Sequence, residues 1–166
     1  MYRILREIIR NGIRTEKAPD PDPALKAGSR EAFPALRAAL SIRHVDAGSC
    51  NGCELELHAL NGPHYALENS GLQFVASPRH ADMLLVTGPV SKHMEDALRA
   101  TYEAMPEPRV VVAVGDCGRD GGVFCRRANP ACAGGVASVL PVDVVVPGCP
   151  PAPEEILKGI LTAIRI

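Results

Sequence analysis

The sequence has few aromatic residues and no tryptophan. Three tyrosines and three phenylalanines make up 4% of its 166 residues, whereas hydrophobic residues make up 46%. The core must therefore consist mainly of aliphatic side chains, and runs of Val, Leu and Ile favour strands that are covered on both faces. A chain of this length suffices for one domain of ordinary size and is too short for two.

Neither sign of charge is in excess, and no long apolar run is present. With 18 basic and 19 acidic residues the formal net charge is -1, so the chain lacks the surplus of Lys and Arg that holds nucleic-acid phosphates. No stretch approaches the roughly 20 apolar residues that span a bilayer, and residues 1–14 contain no apolar signal core. We expect a cytoplasmic chain that binds cofactors or proteins and no nucleic acid.

Residues 1–16 have the periodicity of a basic amphipathic helix. Its apolar stripe comprises Leu5, Ile8, Ile9 and Ile13. Such a stripe fits an anionic membrane surface, a groove on a partner protein, or the chain's own domain. Residues 17–30 are rich in Pro, Ala and charge, which is typical of an irregular arm. We therefore assign the N-terminal helix and arm to residues 1–40 and a separate α/β domain to residues 41–166.

Short apolar runs alternate with helical patterns along the rest of the chain. The predicted strands span residues 41–46, 72–76, 83–87, 110–115 and 142–146. The predicted helices begin near Glu54, Ser91, Pro130 and Pro153. Several strands are nearly continuous in Val, Leu and Ile, as in parallel sheets with helices on both faces. The sequence therefore predicts a three-layer, flavodoxin-like α/β domain with a mainly parallel sheet.

Four of the six cysteines directly follow predicted strands. Cys50 and Cys53 follow the first strand, Cys117 follows the fourth, and Cys149 follows the fifth. Because ligand sites of parallel sheets lie at the carboxyl edge, we expect these thiols to converge. Four soft thiolates provide one ligand for each iron of a [4Fe-4S] cluster. The neighbouring glycines let backbone amides approach such a cluster closely.

Two alternatives use the same cysteines differently. Structural zinc also accepts four thiolates, but its knuckles usually contain two paired CxxC units, and only Cys50 and Cys53 are paired here. A thioredoxin-like CxxC would leave Cys117 and Cys149 without a role. We favour the iron-sulfur cluster over both.

Four segments carry a specific resemblance to a known family. They read HVDAGSCNGCELELHAL, FVASPRHADMLLVTGPV, YEAMPEPRVVVAVGDC and VDVVVPGCPPAPEEILKGI. Over residues 42–164 the chain resembles the 20-kDa-type small subunit of respiratory complex I and the small subunits of membrane-bound [NiFe] hydrogenases such as formate hydrogenlyase. The resemblance implies that one terminal [4Fe-4S] cluster is held by Cys50, Cys53, Cys117 and Cys149.

The spacing of the first cysteine pair separates the two branches of this family. Complex I subunits typically carry two adjacent cysteines there, whereas Cys50 and Cys53 are spaced by two residues. The resemblance therefore implies an electron-transfer subunit that exchanges electrons with the [NiFe] site of a large hydrogenase subunit. The alternative is a complex I-type subunit that donates electrons to quinone, and a lesser one is a zinc-binding or metal-free scaffold. No catalytic residue is expected in the chain itself.

The resemblance also implies partners and a location. The partners are a large catalytic subunit of [NiFe] hydrogenase type or complex I 49-kDa type, a ferredoxin-like iron-sulfur subunit, and membrane subunits. The location is peripheral, on the cytoplasmic side of the inner (cell) membrane.

Several other polar residues have weaker indications. Glu54 and Glu56 follow the cysteine pair and suit a partner interface or a proton route, although carboxylates on a helix surface are usually just solvated. Arg79 and His80 suit a place near the cluster or a quinone, or plain loop contacts. His44 is predicted to be a packed core residue.

The remaining candidates are assigned local roles. Asp116 precedes Cys117 and is predicted only to fix the turn. Cys125 and Cys132 follow no predicted strand end. We interpret them as two ordinary or exposed thiols of a loop, outside the site, in preference to a second ligand set.

Overall fold

The computed structural model describes residues 39–125 and 129–164. The predicted N-terminal helix, and all of the predicted arm except its last two residues, lie outside the described part. Within that part, no helix combines the length and the apolar character needed to cross a bilayer.

Eleven helices and strands, with three 3-10 turns, make up the described part. The main sheet contains β1 (Leu40–Asp46), β2 (Leu72–Phe74), β3 (Met83–Thr87), β5 (Val110–Val114) and β7 (Val144–Val146). A separate antiparallel ribbon contains β4 (Val90–Ser91) and β6 (Cys132–Gly134). The helices are α1 (Gly52–Leu60), α2 (Lys92–Glu103), α3 (Gly115–Asp120) and α4 (Pro153–Ile164). The 3-10 turns span Leu67–Ser70, Pro78–His80 and Val136–Ser138.

The main sheet is entirely parallel, in the order β2-β1-β3-β5-β7. Counting its strands along the chain, this is the order 2-1-3-4-5 of flavodoxin-like folds. The order confirms the predicted fold class and sets the carboxyl ends of β1, β3, β5 and β7 side by side.

Aliphatic side chains cover both faces of the sheet. Every residue of β3 and β5 is buried, and alternate residues enter two separate cores. On one face Leu85 and Val112 pack with Ile156 and Ile160 of α4. On the other face Leu84 lies in the same core as Leu98 of α2. The continuous apolar strands and the three layers therefore agree with the sequence pattern.

The elements β4, β6 and α3 were not predicted. The prediction of a helix near Pro130 is wrong, because the chain there forms strand β6, which pairs with β4. Gly134 has φ +118 and is followed by a second glycine, so this stretch resists a continuous right-handed helix. The short helix α3 was not predicted, because two of its six residues are glycines.

The contact between α4 and β7 tests the packing of the fold. A Cβ atom at Gly159 would overlap Cγ2 of Val146, so Gly159→Ala should destabilise the protein by about 1–3 kcal/mol. Urea unfolding of the variant, compared with the parent chain, measures this loss. Lys158→Ala in the same helix is the control and should change stability little. Equal stability of Gly159→Ala and the parent would contradict the close helix-to-sheet contact.

Candidate metal centre

The turn after β1 presents Cys50 beyond the sheet edge. The carboxylate oxygen Oδ1 of Asp46 accepts hydrogen bonds from the amides of Gly48 (2.8 Å) and Ser49 (2.7 Å). Ser49 Oγ accepts a further bond from the amide of Asn51 (3.0 Å). Asn51 has φ 70 and ends the turn, after which α1 begins. Cys50 is exposed on this turn.

Gly88, the residue that follows β3, packs against the same turn. Gly88 has φ +79, and a Cβ atom there would lie 2.5 Å from the amide nitrogen of Ser49 and 2.6 Å from its Cα. Only glycine permits this approach of two backbones. The position of Cys50 therefore depends on a glycine that the sequence pattern did not single out.

Hydrogen bonds join the Cys117 segment to the Cys149 segment. The amide of Asp116 donates to the carbonyl of Gly148 (2.7 Å), and the amide of Gly148 donates to Asp116 Oδ1 (3.2 Å). Asp116 thus connects two strand ends, which is more than the predicted role of fixing a turn. Cys117 lies in the first turn of α3, whereas Cys149 is exposed on the loop after β7.

Glycines bring the cysteines close together. A Cβ atom at Gly115, which has φ +83, would lie 2.9 Å from Cys53 Sγ and 3.3 Å from the carbonyl oxygen of Gly148. A Cβ atom at Gly52 would lie 3.6 Å from Cys50 Sγ and 3.9 Å from Pro150 Cβ. Segments from three strand ends therefore meet in one small volume.

The four thiols differ in exposure and influence one another electrostatically. Cys53 and Cys117 are each 8% exposed, whereas Cys50 and Cys149 are exposed, and all four are free. Burial raises the pKa of Cys53 to about 12, with further increases from Glu54 and the other three cysteines. Burial also raises the pKa of Cys117, and Cys149 and Cys50 add to it. The thiolate forms of neighbouring cysteines therefore disfavour one another.

Across residues 39–125 and 129–164, no three His, Cys, Asp or Glu side chains form a group that could hold one metal ion.

Beside the cysteines, a cleft of about 310 Å³ contains Glu54 and His44. Glu54 is 7% exposed, and its Oε2 accepts a hydrogen bond from Ser49 Oγ (2.6 Å). Glu54 Oε1 has no hydrogen bond and lies 3.9 Å from Nε2 of His44. His44 Nε2 lies 2.9 Å from Thr87 Oγ1, and burial lowers the pKa of this histidine. His44 therefore lines a cleft and is half-buried rather than fully packed in the core.

The other predicted polar residues lie at the surface. Glu56 is half-buried on α1, and Arg79 and His80 are exposed on the 3-10 turn after β2.

Cys125 and Cys132 are joined as a disulfide, with their Cα atoms 5.5 Å apart. The prediction of two ordinary thiols is wrong in that the two sulfurs are paired. Cys132 lies on the unpredicted strand β6, in register with Ser91 of β4.

The fold and the site together define a class of protein. It is a flavodoxin-like α/β protein with four free cysteines at the carboxyl edge of its parallel sheet. The family described as NADH ubiquinone oxidoreductase, 20 Kd subunit, matches residues 50–163. The chain belongs to this family.

Relatives of two kinds are similar to this chain in sequence. The probable membrane-bound hydrogenase subunit mbhJ of Pyrococcus furiosus is 46% identical over 124 residues, which are 75% of this chain and 73% of that protein. The B subunit of the NADH-quinone oxidoreductase of Flavobacterium johnsoniae is 49% identical over 116 residues, which are 69% of this chain and 61% of that protein. Both are subunits of oxidoreductase complexes by name, and the family resemblance expected from the sequence is confirmed.

A solved structure has a similar fold. One chain of the membrane-bound sulfane sulfur reductase, an archaeal respiratory membrane complex, superimposes with a TM-score of 0.67 at 33% identity. The match covers 78% of this chain and 71% of that one.

The raised pKa values predict how the thiols react in cluster-free protein. At about pH 8 a buried thiol whose pKa is raised forms far less thiolate than an exposed one. Iodoacetamide should therefore alkylate Cys53 and Cys117 at least about tenfold more slowly than Cys50 and Cys149. Peptide mass spectrometry over a time course measures the four rates. Four equal rates would contradict the burial described for this site.

Proposed function

We propose that the chain binds one [4Fe-4S] cluster through Cys50, Cys53, Cys117 and Cys149 and acts as the electron-transfer subunit of a membrane-associated hydrogenase complex. The observation that carries the proposal is the meeting of three cysteine-bearing strand ends at one edge of a parallel sheet. All four thiols there are free, and two of them are buried.

The cysteine pattern supports a cluster over zinc. Structural zinc sites usually contain two paired CxxC units, and only Cys50 and Cys53 are paired here. The cysteines are near enough to raise the pKa values of Cys53 and Cys117.

The chain's own residues prepare the site for such a group. When bound, the cluster supplies one-electron redox chemistry. Cys53 and Cys117 lie on the buried side and exclude water there, whereas Cys50 and Cys149 face outward. Gly115 leaves room for the Cys53 sulfur. This asymmetry gives the site one open side, where a partner protein can approach closely enough to exchange electrons.

The hydrogenase assignment rests on the cysteine spacing and on the Pyrococcus relative. Cys50 and Cys53 form the spaced pair of that branch, and mbhJ is a probable membrane-bound hydrogenase subunit. In this proposal the chain takes electrons from a ferredoxin-like subunit and delivers them to the [NiFe] site of a large subunit, at the cytoplasmic side of the membrane.

A second candidate is donation of electrons to quinone, as in a complex I-type oxidoreductase. The Flavobacterium relative, an NADH-quinone oxidoreductase subunit, favours it. The sequence of the large partner subunit separates the two candidates, because a [NiFe] site requires two pairs of CxxC cysteines in that subunit and a quinone site does not.

Replacing single cysteines tests the ligand set. Cys117→Ser and Cys149→Ser should each abolish or strongly alter the visible absorbance that dithionite bleaches, since each removes one iron ligand. Iron analysis should give four iron atoms per chain in the parent. Cys125→Ser removes a cysteine outside the proposed ligand set. It opens the disulfide but leaves all four ligands in place, so it should keep both the absorbance and the iron. An intact cluster in both ligand variants would refute the assignment.

Replacing glycines tests the space around Cys53. Gly115→Ala introduces a Cβ atom 2.9 Å from the Cys53 sulfur at a backbone with φ +83, so it should lower iron content per chain. The control is Gly118→Ala, whose nearest neighbour would lie at an ordinary 3.5 Å. Equal iron content in the two variants would show that the approach of Gly115 to Cys53 is unimportant.

A further inference from the structure

We infer that Cys125 and Cys132 form a reversible thiol-disulfide site that holds the turn after α3 against the proposed ligand Cys117. Any effect of this site on a bound cluster rests on the proposed function. The disulfide itself and the packing of the turn on Cys117 do not depend on that proposal. The reaction partner is a dithiol reductant, in the cell a thioredoxin-like protein.

Two adjacent glycines connect the disulfide to Cys117. A Cβ atom at Gly122 would lie 2.7 Å from Cys117 Sγ, and one at Gly121 would lie 2.5 Å from Cys125 Cβ. The amide of Gly121 donates to the carbonyl of Cys117 (2.8 Å), and the amide of Cys125 donates to the carbonyl of Gly121 (3.2 Å). Cys125 is therefore packed onto the same turn that covers the Cys117 sulfur.

The other end of the disulfide belongs to the β4-β6 ribbon. Cys132 is in register with Ser91, and the amide of Lys92 donates to the carbonyl of Ala131 (2.9 Å). The amide of Ser91 in turn donates to the carbonyl of Ala47 (2.8 Å), at the start of the turn that bears Cys50. The disulfide thus connects the Cys117 turn to a ribbon anchored beside Cys50.

The site is reachable by a reductant. Cys125 and Cys132 are half-buried, and the neighbouring Val123 and Phe124 are 61% and 44% exposed. In the proposed cytoplasmic location, disulfides are usually transient or redox-sensing. Reduction should loosen the turn over Cys117 because it removes the covalent connection to the ribbon.

The exchange is balanced in electrons and protons. A thiolate of the dithiol attacks one sulfur of the Cys125–Cys132 bond, forms a mixed disulfide and releases the other sulfur as a thiolate, which takes a proton. The second thiol of the reductant then closes its own disulfide and releases the remaining cysteine. The protein pair gains two electrons and two protons, and the dithiol loses them.

The first experiment determines the state of the pair in the full chain isolated with its complex. Alkylation with and without prior dithiothreitol, followed by peptide mass spectrometry, should label Cys125 and Cys132 only after reduction. Diamide should restore the protected state. Two cysteines that are freely alkylated even after diamide would overturn the inference.

The second experiment measures the effect on Cys117 after iron is removed anaerobically. Alkylation of Cys117 should be several-fold faster in dithiothreitol-reduced chain and in the Cys125→Ser/Cys132→Ser variant than in the oxidised parent. Cys53 is equally buried and is the internal control whose rate should not change. A Cys117 rate that is independent of the disulfide, or a response to dithiothreitol that persists in the double variant, would overturn the coupling. Because these readouts need no cluster, failure of the ligand assignment would leave their result intact.

Discussion

The site depends on the convergence of parallel strand ends at one edge of the sheet. β1, β5 and β7 each deliver one cysteine-bearing segment to that edge. The reciprocal hydrogen bonds between Asp116 and Gly148 then join the last two segments. Cys50 and Cys149 lie far apart in the sequence. Without this bridge and the glycines that permit close approach, they would have no fixed position relative to one another.

The arrangement of the four thiols has an electrostatic cost in the cluster-free chain. Burying a thiol disfavours its charged form, and clustering several thiolates disfavours it further. In Cys53 both effects act together and raise its pKa to about 12. In the proposed function, the positive iron-sulfur core would offset this cost, because each of the four thiolates would then face positive charge.

Much of the fold and of the candidate site could be predicted from the sequence, because the sequence signals for them are local. Continuous apolar runs such as those of β3 and β5 predicted buried parallel strands, and the cysteines stood at the ends of such runs. Long-range pairing could not be predicted in this way. Strand β6 is three residues long, contains glycine and exists because it pairs with β4, so no local pattern indicated it. The support of the Cys50 turn by Gly88 depends on the same kind of distant contact.

The central claim is that one edge of the sheet holds a four-iron cluster on Cys50, Cys53, Cys117 and Cys149. Iron anomalous scattering from crystals of the intact complex tests it most directly. We expect the anomalous map to show a compact group of four iron positions bounded by those four sulfurs. A single zinc peak at the edge, or iron ligated by a different set of cysteines, would contradict it.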